Sequence, residues 1–286
     1  MDCAHIEHQP AMRSRFAALP LPPPLKRAAR AVYHALFRAQ LRLRCWWMDR
    51  AARPDELGLR LPPALLRYRV SELLGRDDFL VIGRGCAEMM EQCTRSMGVD
   101  LARARRVLDF GCGCGRTVRW FLREYPGVEF HGADVDGEAI AWCRANLTTA
   151  RFVQNGAEPP LPYPAGHFDV IYCLSVFTHL DEPMQDAWLA ELRRLLPPGG
   201  VVLLTVHSDL VTGILDDAGR AALRSAGFLY RRSPRLRGIV PDWYNTAFHS
   251  REYIVQRLAP LFEDIRYQTV PDGPQAIVMG RARGGQ

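Results

Sequence analysis

The stretch V-L-D-F-G-C-G-C-G-R-T, residues 107–117, sets an aspartate, Asp109, ahead of glycines at every second position, Gly111, Gly113 and Gly115. Glycine at those positions allows positive φ and lets a ligand approach the main chain with no Cβ in the way. A helix following such a loop would point its N-terminal amides at the same spot. That chemistry is nucleotide-like ligand binding, and spacing discriminates between ligands. Dinucleotide folds use G-x-G-x-x-G, which would require glycine at position 116, and that residue is Arg116. The run is instead D-x-G-x-G-x-G with the acid at the end of an apolar segment.

The elements that must position this loop alternate from residue 105 onward. Apolar runs at 106–110, 128–134, 150–155, 168–174, 201–207, 264–270 and 275–282 read as strands, with helical patterns around 115–124, 136–147 and 183–196. Strand and helix in alternation predict a doubly wound, Rossmann-like α/β fold on a mainly parallel seven-stranded sheet. Only P-D-G-P joins the last two strands, too short for a crossover, so the last strand should be antiparallel. In such sheets ligands bind at the carboxyl ends of the strands near the switch point. The organisation expected is a leader and helical extension over 1–104, a ligand-binding domain over 105–286, and an insertion at about 208–249 that is several-fold longer than an ordinary connection.

Over roughly residues 105–282 the chain resembles the class I S-adenosylmethionine (SAM)-dependent methyltransferases, whose first motif is an apolar strand, an acid and a GxGxG loop as in VLDFGCGCGRT. PPLPYPAGHFDVIYCLSVFTHLDE and LLPPGGVVLLTVH resemble the stretches through the fourth and fifth strands of that family. The resemblance implies SAM as cofactor. It places Asp109 near the methionine moiety and Asp134, at the end of H-G-A-D, on the two ribose hydroxyls; Asp136 is the alternative there, though it suits a helix N-cap better. Family members often read G-D-A after the third strand. This chain reads Asn155-Gly156-Ala157, so Asn155 and the backbone of Ala157 are left to meet the adenine edge.

Methyl transfer is an in-line displacement in which the protein mainly aligns the reactants and excludes water. A base helps when the acceptor is a hydroxyl. His179 in S-V-F-T-H-L, and His249 with Tyr244 in D-W-Y-N-T-A-F-H-S, are the candidates, His207 ranking lower; a loop cap for His179 and a helix start at Ser250 are the structural alternatives. The acceptor implied is a small molecule or a glycan, with oxygen favoured. Arg231, Arg232, Arg235 and Arg237 in the insertion suit an anionic substrate or simply a solvated face. The alternatives are a non-catalytic SAM-binding partner and a nicotinamide-dependent oxidoreductase, the latter disfavoured by Arg116.

Composition is that of an ordinary folded protein, 48% hydrophobic and 24% charged. The net charge of +6 is localised: residues 1–60 hold eleven Lys/Arg against five Asp/Glu, leaving 26 against 26 in the rest. A neutral remainder argues against nucleic acid as a partner. The excess sits largely on a predicted amphipathic helix with Leu25, Ala29, Val32, Leu36, Ala39, Leu43 and Trp47 on one line and Arg27, Arg30, Arg38, Arg42 and Arg44 off it. Residues 25–50 could therefore pack on protein or lie on an anionic membrane surface. Eight scattered cysteines without CxxC spacing predict reduced thiols and no metal site. No stretch reaches the roughly 18 apolar residues of a membrane span, and no signal-peptide core is visible, so a cytoplasmic protein is expected. Nothing in the sequence sets an oligomeric state.

Overall fold

The computed structural model describes residues 22–50, 54–213, 215–231, 245–270 and 273–284. The chain divides into two compact units, Met1–Ala51 and Ala52–Gln286. In the first, helix α1 (Pro23–Asp49) begins with proline in its opening turn, where a missing amide costs nothing. The second unit opens with α2 (Ala64–Ser71) and α3 (Arg76–Ser96) and continues as β1 (Arg106–Phe110), α4 (Val118–Glu124), β2 (Glu129–Asp134), α5 (Gly137–Asn146), β3 (Arg151–Gln154), β4 (Val170–Cys173), α6 (Glu182–Leu195) and β5 (Val201–His207). It closes with α7 (Asp209–Thr212), α8 (Asp217–Ala226), β6 (Phe228–Arg231), β7 (Thr246–His249), α9 (Arg251–Leu258), β8 (Phe262–Thr269) and β9 (Gln275–Ala282).

Seven strands form one sheet in the order β3-β2-β1-β4-β5-β9-β8. The first five are parallel, and β9 runs antiparallel to both β5 and β8, as the short P-D-G-P link requires. The chain order reverses between β1 and β4, which places the switch point at the end of β1, where Asp109 sits. Both faces of the sheet are covered at its centre, so β1, β4 and β5 are almost fully buried. Val107 and Tyr172 pack with Met90 and Phe121 on one face. Leu108 and Ile171 pack with Trp188, Leu192 and Ile254 on the other.

Ala87, Met90, Cys93 and Met97 of α3, within the predicted 1–104 extension, are buried in the same core cluster as the sheet. The helix expected from 115 begins at Val118, so the glycine loop continues as turns as far as Thr117. The insertion also contains two strands that the apolar pattern did not reveal, β6 and β7, which pair with each other outside the main sheet.

A buried ion pair ties the segment before α2 to the helix after the glycine loop. Arg119 donates from Nε and Nη2 to Asp55 Oδ2 at 3.0 and 2.8 Å, and both side chains are fully buried. The other oxygen, Asp55 Oδ1, accepts the amides of Leu57 and Leu59. Removing one partner strands the other charge in the interior. Asp55→Ala should therefore lose about 3–5 kcal/mol of unfolding free energy, read by denaturant titration; a loss below about 1 kcal/mol would mean that the pair does not hold this segment.

Candidate functional site

The carboxyl ends of β1, β2 and β4 open into a cavity of about 660 Å³. Asp109, Gly111, Gly113, Asp134, Asn155, Ala157 and His179 all line it, together with Arg69, Arg116, Ser175 and Trp188. Gly115 lies beneath the loop instead, where an added Cβ would stand 2.5 Å from Leu147 Cδ1.

β2 holds the glycine loop. The amides of Gly111 and Cys112 both donate to Ala133 O, at 2.7 and 3.1 Å. The amide of Gly113 donates to Asp134 Oδ2 at 2.7 Å, and that of Asp136 to Asp134 Oδ1 at 2.8 Å. Asp134 is thus a brace for the loop as well as a wall of the cavity. Asp136 caps α5 by accepting from Glu138 and Ala139, and it also lines the cavity. Gly111 has φ of +80° and Gly113 of +51°. A Cβ on Gly111 would lie 2.2 Å from Val176 Cγ2, and one on Gly113 2.4 Å from Val70 Cγ1. The bare backbone is demanded by the protein's own packing on the loop, in addition to any ligand.

Electrostatics select the ligand. Burial pushes the Asp109 carboxyl up to about 8, the nearby Asp134 charge adding to the rise while the Tyr172 hydroxyl and Arg116 oppose it. Burial raises Asp134 as well, against the backbone amides that favour its charged form. Two buried acids of raised pKa favour an incoming cation, which would draw them into the charged form, while Arg69 and Arg116 line the same cavity. A SAM-type ligand carries a sulfonium and an ammonium; a nicotinamide dinucleotide carries a pyrophosphate. Asn155 adds an acceptor: its Nδ2 donates to Gly156 O at 2.7 Å, while its Oδ1 is buried without a hydrogen-bond partner. An amino group on a purine edge would satisfy it. These residues fit SAM.

The histidines separate. His179 lines the cavity and its Nδ1 donates to Asn245 O at 2.7 Å, so Nε2 carries the lone pair. Burial lowers its pKa to about 4. His207 donates from Nδ1 to Ala247 O at 2.9 Å, and Ala247 N donates to Thr178 O at 2.8 Å. These bonds fasten β7 to the ends of β4 and β5. His249 does not line the cavity; it is buried on β7 with Nε2 3.0 Å from Gln185 Oε1, and burial takes its pKa down to about 3. Tyr244, Arg232, Arg235 and Arg237 lie outside the described residues. Arg231 pairs with Asp216, and Ser250 caps α9 as expected by accepting from Tyr253 N.

Among the lining residues that sequence reasoning missed are Arg69, Val70, Ser175 and Trp188. Arg69 of α2 reaches Asp136 and Glu138 at 2.9 and 2.6 Å, a contact across 67 residues that no local pattern encodes. Val70 is missed for the same reason. Ser175 takes a left-handed φ of +60°, held between Thr205 Oγ1, which accepts its amide, and Gln275 Nε2, which donates to its hydroxyl. Trp188 donates to Ala157 O at 3.0 Å. The four-residue spacing of Leu180, Met184 and Trp188 was the available signal for the last of these.

Residues 107–200 match the family model for a methyltransferase domain. The domain belongs to the class I SAM-dependent methyltransferase family. A fatty-acid O-methyltransferase from Mycolicibacterium smegmatis is 35% identical over 103 residues, 35% of this chain and 36% of that protein. A malonyl-[acyl-carrier protein] O-methyltransferase from Halalkalibacterium halodurans is 27% identical over 133 residues, covering 45% and 48%. The matched stretch spans half or less of each of these curated relatives. A SAM-dependent methyltransferase structure from Mesorhizobium loti superposes with a TM-score of 0.51 at 16% identity, covering 66% of this chain and 96% of that one; it shares the fold.

In this methyltransferase domain the burial of Asp109 costs stability. With a folded pKa near 8 and an unfolded one in the ordinary carboxylate range, the folded state binds the extra proton between those values. Asp109 therefore subtracts stability progressively as pH rises from about 4 to about 8. Asp109→Asn should raise Tm by at least about 3 °C at pH 8 and by almost nothing at pH 4, while weakening S-adenosylhomocysteine binding at least ~10-fold. A variant less stable at pH 8, or one that binds as tightly as the parent, would contradict this assignment.

Proposed function

We propose that this protein transfers a methyl group from SAM to an oxygen atom of a small molecule. The observation that carries the reading is His179, a neutral imidazole in the wall of the same cavity that holds Asp109 and Asp134. When bound, SAM supplies an electrophilic methyl on a sulfonium. The protein's part is binding, orientation and proton handling. Asp134 takes the ribose hydroxyls on the lone pairs left after its two backbone bonds. Asn155 Oδ1 and the backbone of Ala157 meet the adenine edge, the latter steadied by the Trp188 indole. Asp109 accepts from the methionine ammonium, a charge-assisted contact.

His179 acts on the acceptor. The Asn245 carbonyl keeps the Nδ1 hydrogen in place, so Nε2 is the atom that takes the proton of an acceptor hydroxyl. The depressed pKa keeps the ring neutral, the form able to accept, throughout the range above pH 5. A carboxylate acceptor is already nucleophilic and would need His179 only for position. The O-methyltransferase names of the relatives, which act on a fatty acid and on a malonyl-[acyl-carrier protein], make oxygen the first acceptor to test. His249 has no role in this reading, since its hydrogen bond to Gln185 lies in the interior.

Methyl-labelled SAM offered with a panel of phenols, alcohols, fatty acids and acyl thioesters tests the proposal. Label should enter an oxygen of at least one acceptor. For a hydroxyl acceptor, His179→Ala should reduce kcat by about 100-fold or more, leave S-adenosylhomocysteine affinity within about 3-fold, and keep a flat rate in the parent between pH 6 and 8. Label appearing only on nitrogen or carbon would overturn the oxygen assignment. Equal losses of kcat and Tm in His179→Ala would make this residue a fastening for β7 and nothing more.

A further inference from the structure

Helix α1 has an unusual division of its surface. Leu41 and Cys45 are buried, whereas Leu25, Val32, Leu36, Leu43, Trp46 and Trp47 stand 54–72% exposed. At 100° per residue these six fall within one third of the helix circumference. They form a continuous apolar stripe along a helix of 27 residues, about 40 Å long. Two tryptophans end the stripe, and the Arg50 guanidinium lies 4.3 Å over the Trp46 ring.

The sequence of the helix is strongly basic. Lys26, Arg27, Arg30, Arg38, Arg42 and Arg44 belong to the helix, and Asp49 at its last position is the one acid. Arg42 and Arg44 are exposed and lie about 100° to either side of the stripe. A second copy of the chain docked stripe to stripe would bring the same cations together, with one acid per helix, Asp49, to answer them. A surface that is apolar inside and anionic outside answers both features at once. Among the described residues no helix is long and apolar enough to cross a membrane, so the fitting geometry is a helix lying flat, its stripe and tryptophans in the acyl-headgroup boundary and its arginines on phosphate.

We propose that α1 is a docking element for anionic lipid bilayers. The occupant is the membrane surface, recognised through the apolar stripe and the flanking arginines together. Binding to vesicles is read without turnover, so it stands or falls independently of methyl transfer.

The test is vesicle flotation of the full-length protein with phosphatidylcholine vesicles containing 30% phosphatidylglycerol (about one lipid in three anionic), beside pure phosphatidylcholine vesicles. The protein should float with the anionic vesicles, and its partitioning should fall at least about 20-fold at 0.5 M salt or in the Arg42→Glu/Arg44→Glu variant. Leu43→Ser/Trp47→Ser should fall similarly while retaining the parent's S-adenosylhomocysteine affinity, which shows that the fold is intact. Absence of flotation, or equal recovery on neutral vesicles, overturns the proposal. So does a vesicle-free dimer, seen by sedimentation, that the Leu43→Ser/Trp47→Ser variant dissociates, since the stripe would then belong to a second copy.

Discussion

The site rests on two carboxylates placed where water is scarce. Asp109 and Asp134 end adjacent parallel strands, and the loop between β1 and α4 is shaped by what the second of them accepts. Asp134 spends one lone pair of each oxygen on backbone amides, which fixes the loop and leaves the remaining lone pairs toward the cavity. Asp109 has no such backbone donors and is correspondingly high in pKa. Burying these acids costs stability in the ligand-free protein, and the proposed contacts to a cationic ligand would offset that cost.

Around that pair the protein builds a cover from distant parts of the chain. Val70 fills the space above Gly113, and Val176, following the strained Ser175, fills that above Gly111. Cys114 Sγ donates to Leu66 O, and the Arg119–Asp55 pair locks the segment before α2 to the helix that follows the loop. On the opposite side, His179 and His207 pin β7 through backbone carbonyls. Neutral imidazoles are suited to this because each offers one fixed donor and burial holds the charged form off. These histidines and His249 have lowered pKa values. Acidification from about pH 6.5 toward about 4 protonates them first in the unfolded chain and so weakens this end of the sheet.

The sheet was legible because its information is local. The β1 and β5 segments are apolar runs bounded by turn residues, and both appear over the residues expected. The last hairpin followed from a four-residue link. Asp136 and Ser250 cap their helices as short polar residues before apolar periodicity do. In the site, the strand-end acids and the glycine loop were readable for the same reason, and Asn155 was recognised as the departure from the usual aspartate. What could not be read depends on long-range placement. Arg69 and Val70 reach the loop through the packing of α2, His249 is turned inward by its register on β7, and β6 is a strand only because β7 comes back beside it.

If Asp109 and Asp134 hold the ammonium and ribose of a SAM-type nucleoside, the cavity takes that ligand and not a dinucleotide. Calorimetric titration at pH 7.5 with S-adenosylhomocysteine and, in parallel, with NADH tests it most directly, each run in two buffers of different ionisation enthalpy. The account predicts that S-adenosylhomocysteine alone binds and that it releases protons, because its ammonium draws Asp109 into the charged form. Binding of NADH, or binding of S-adenosylhomocysteine with no proton release, would contradict it.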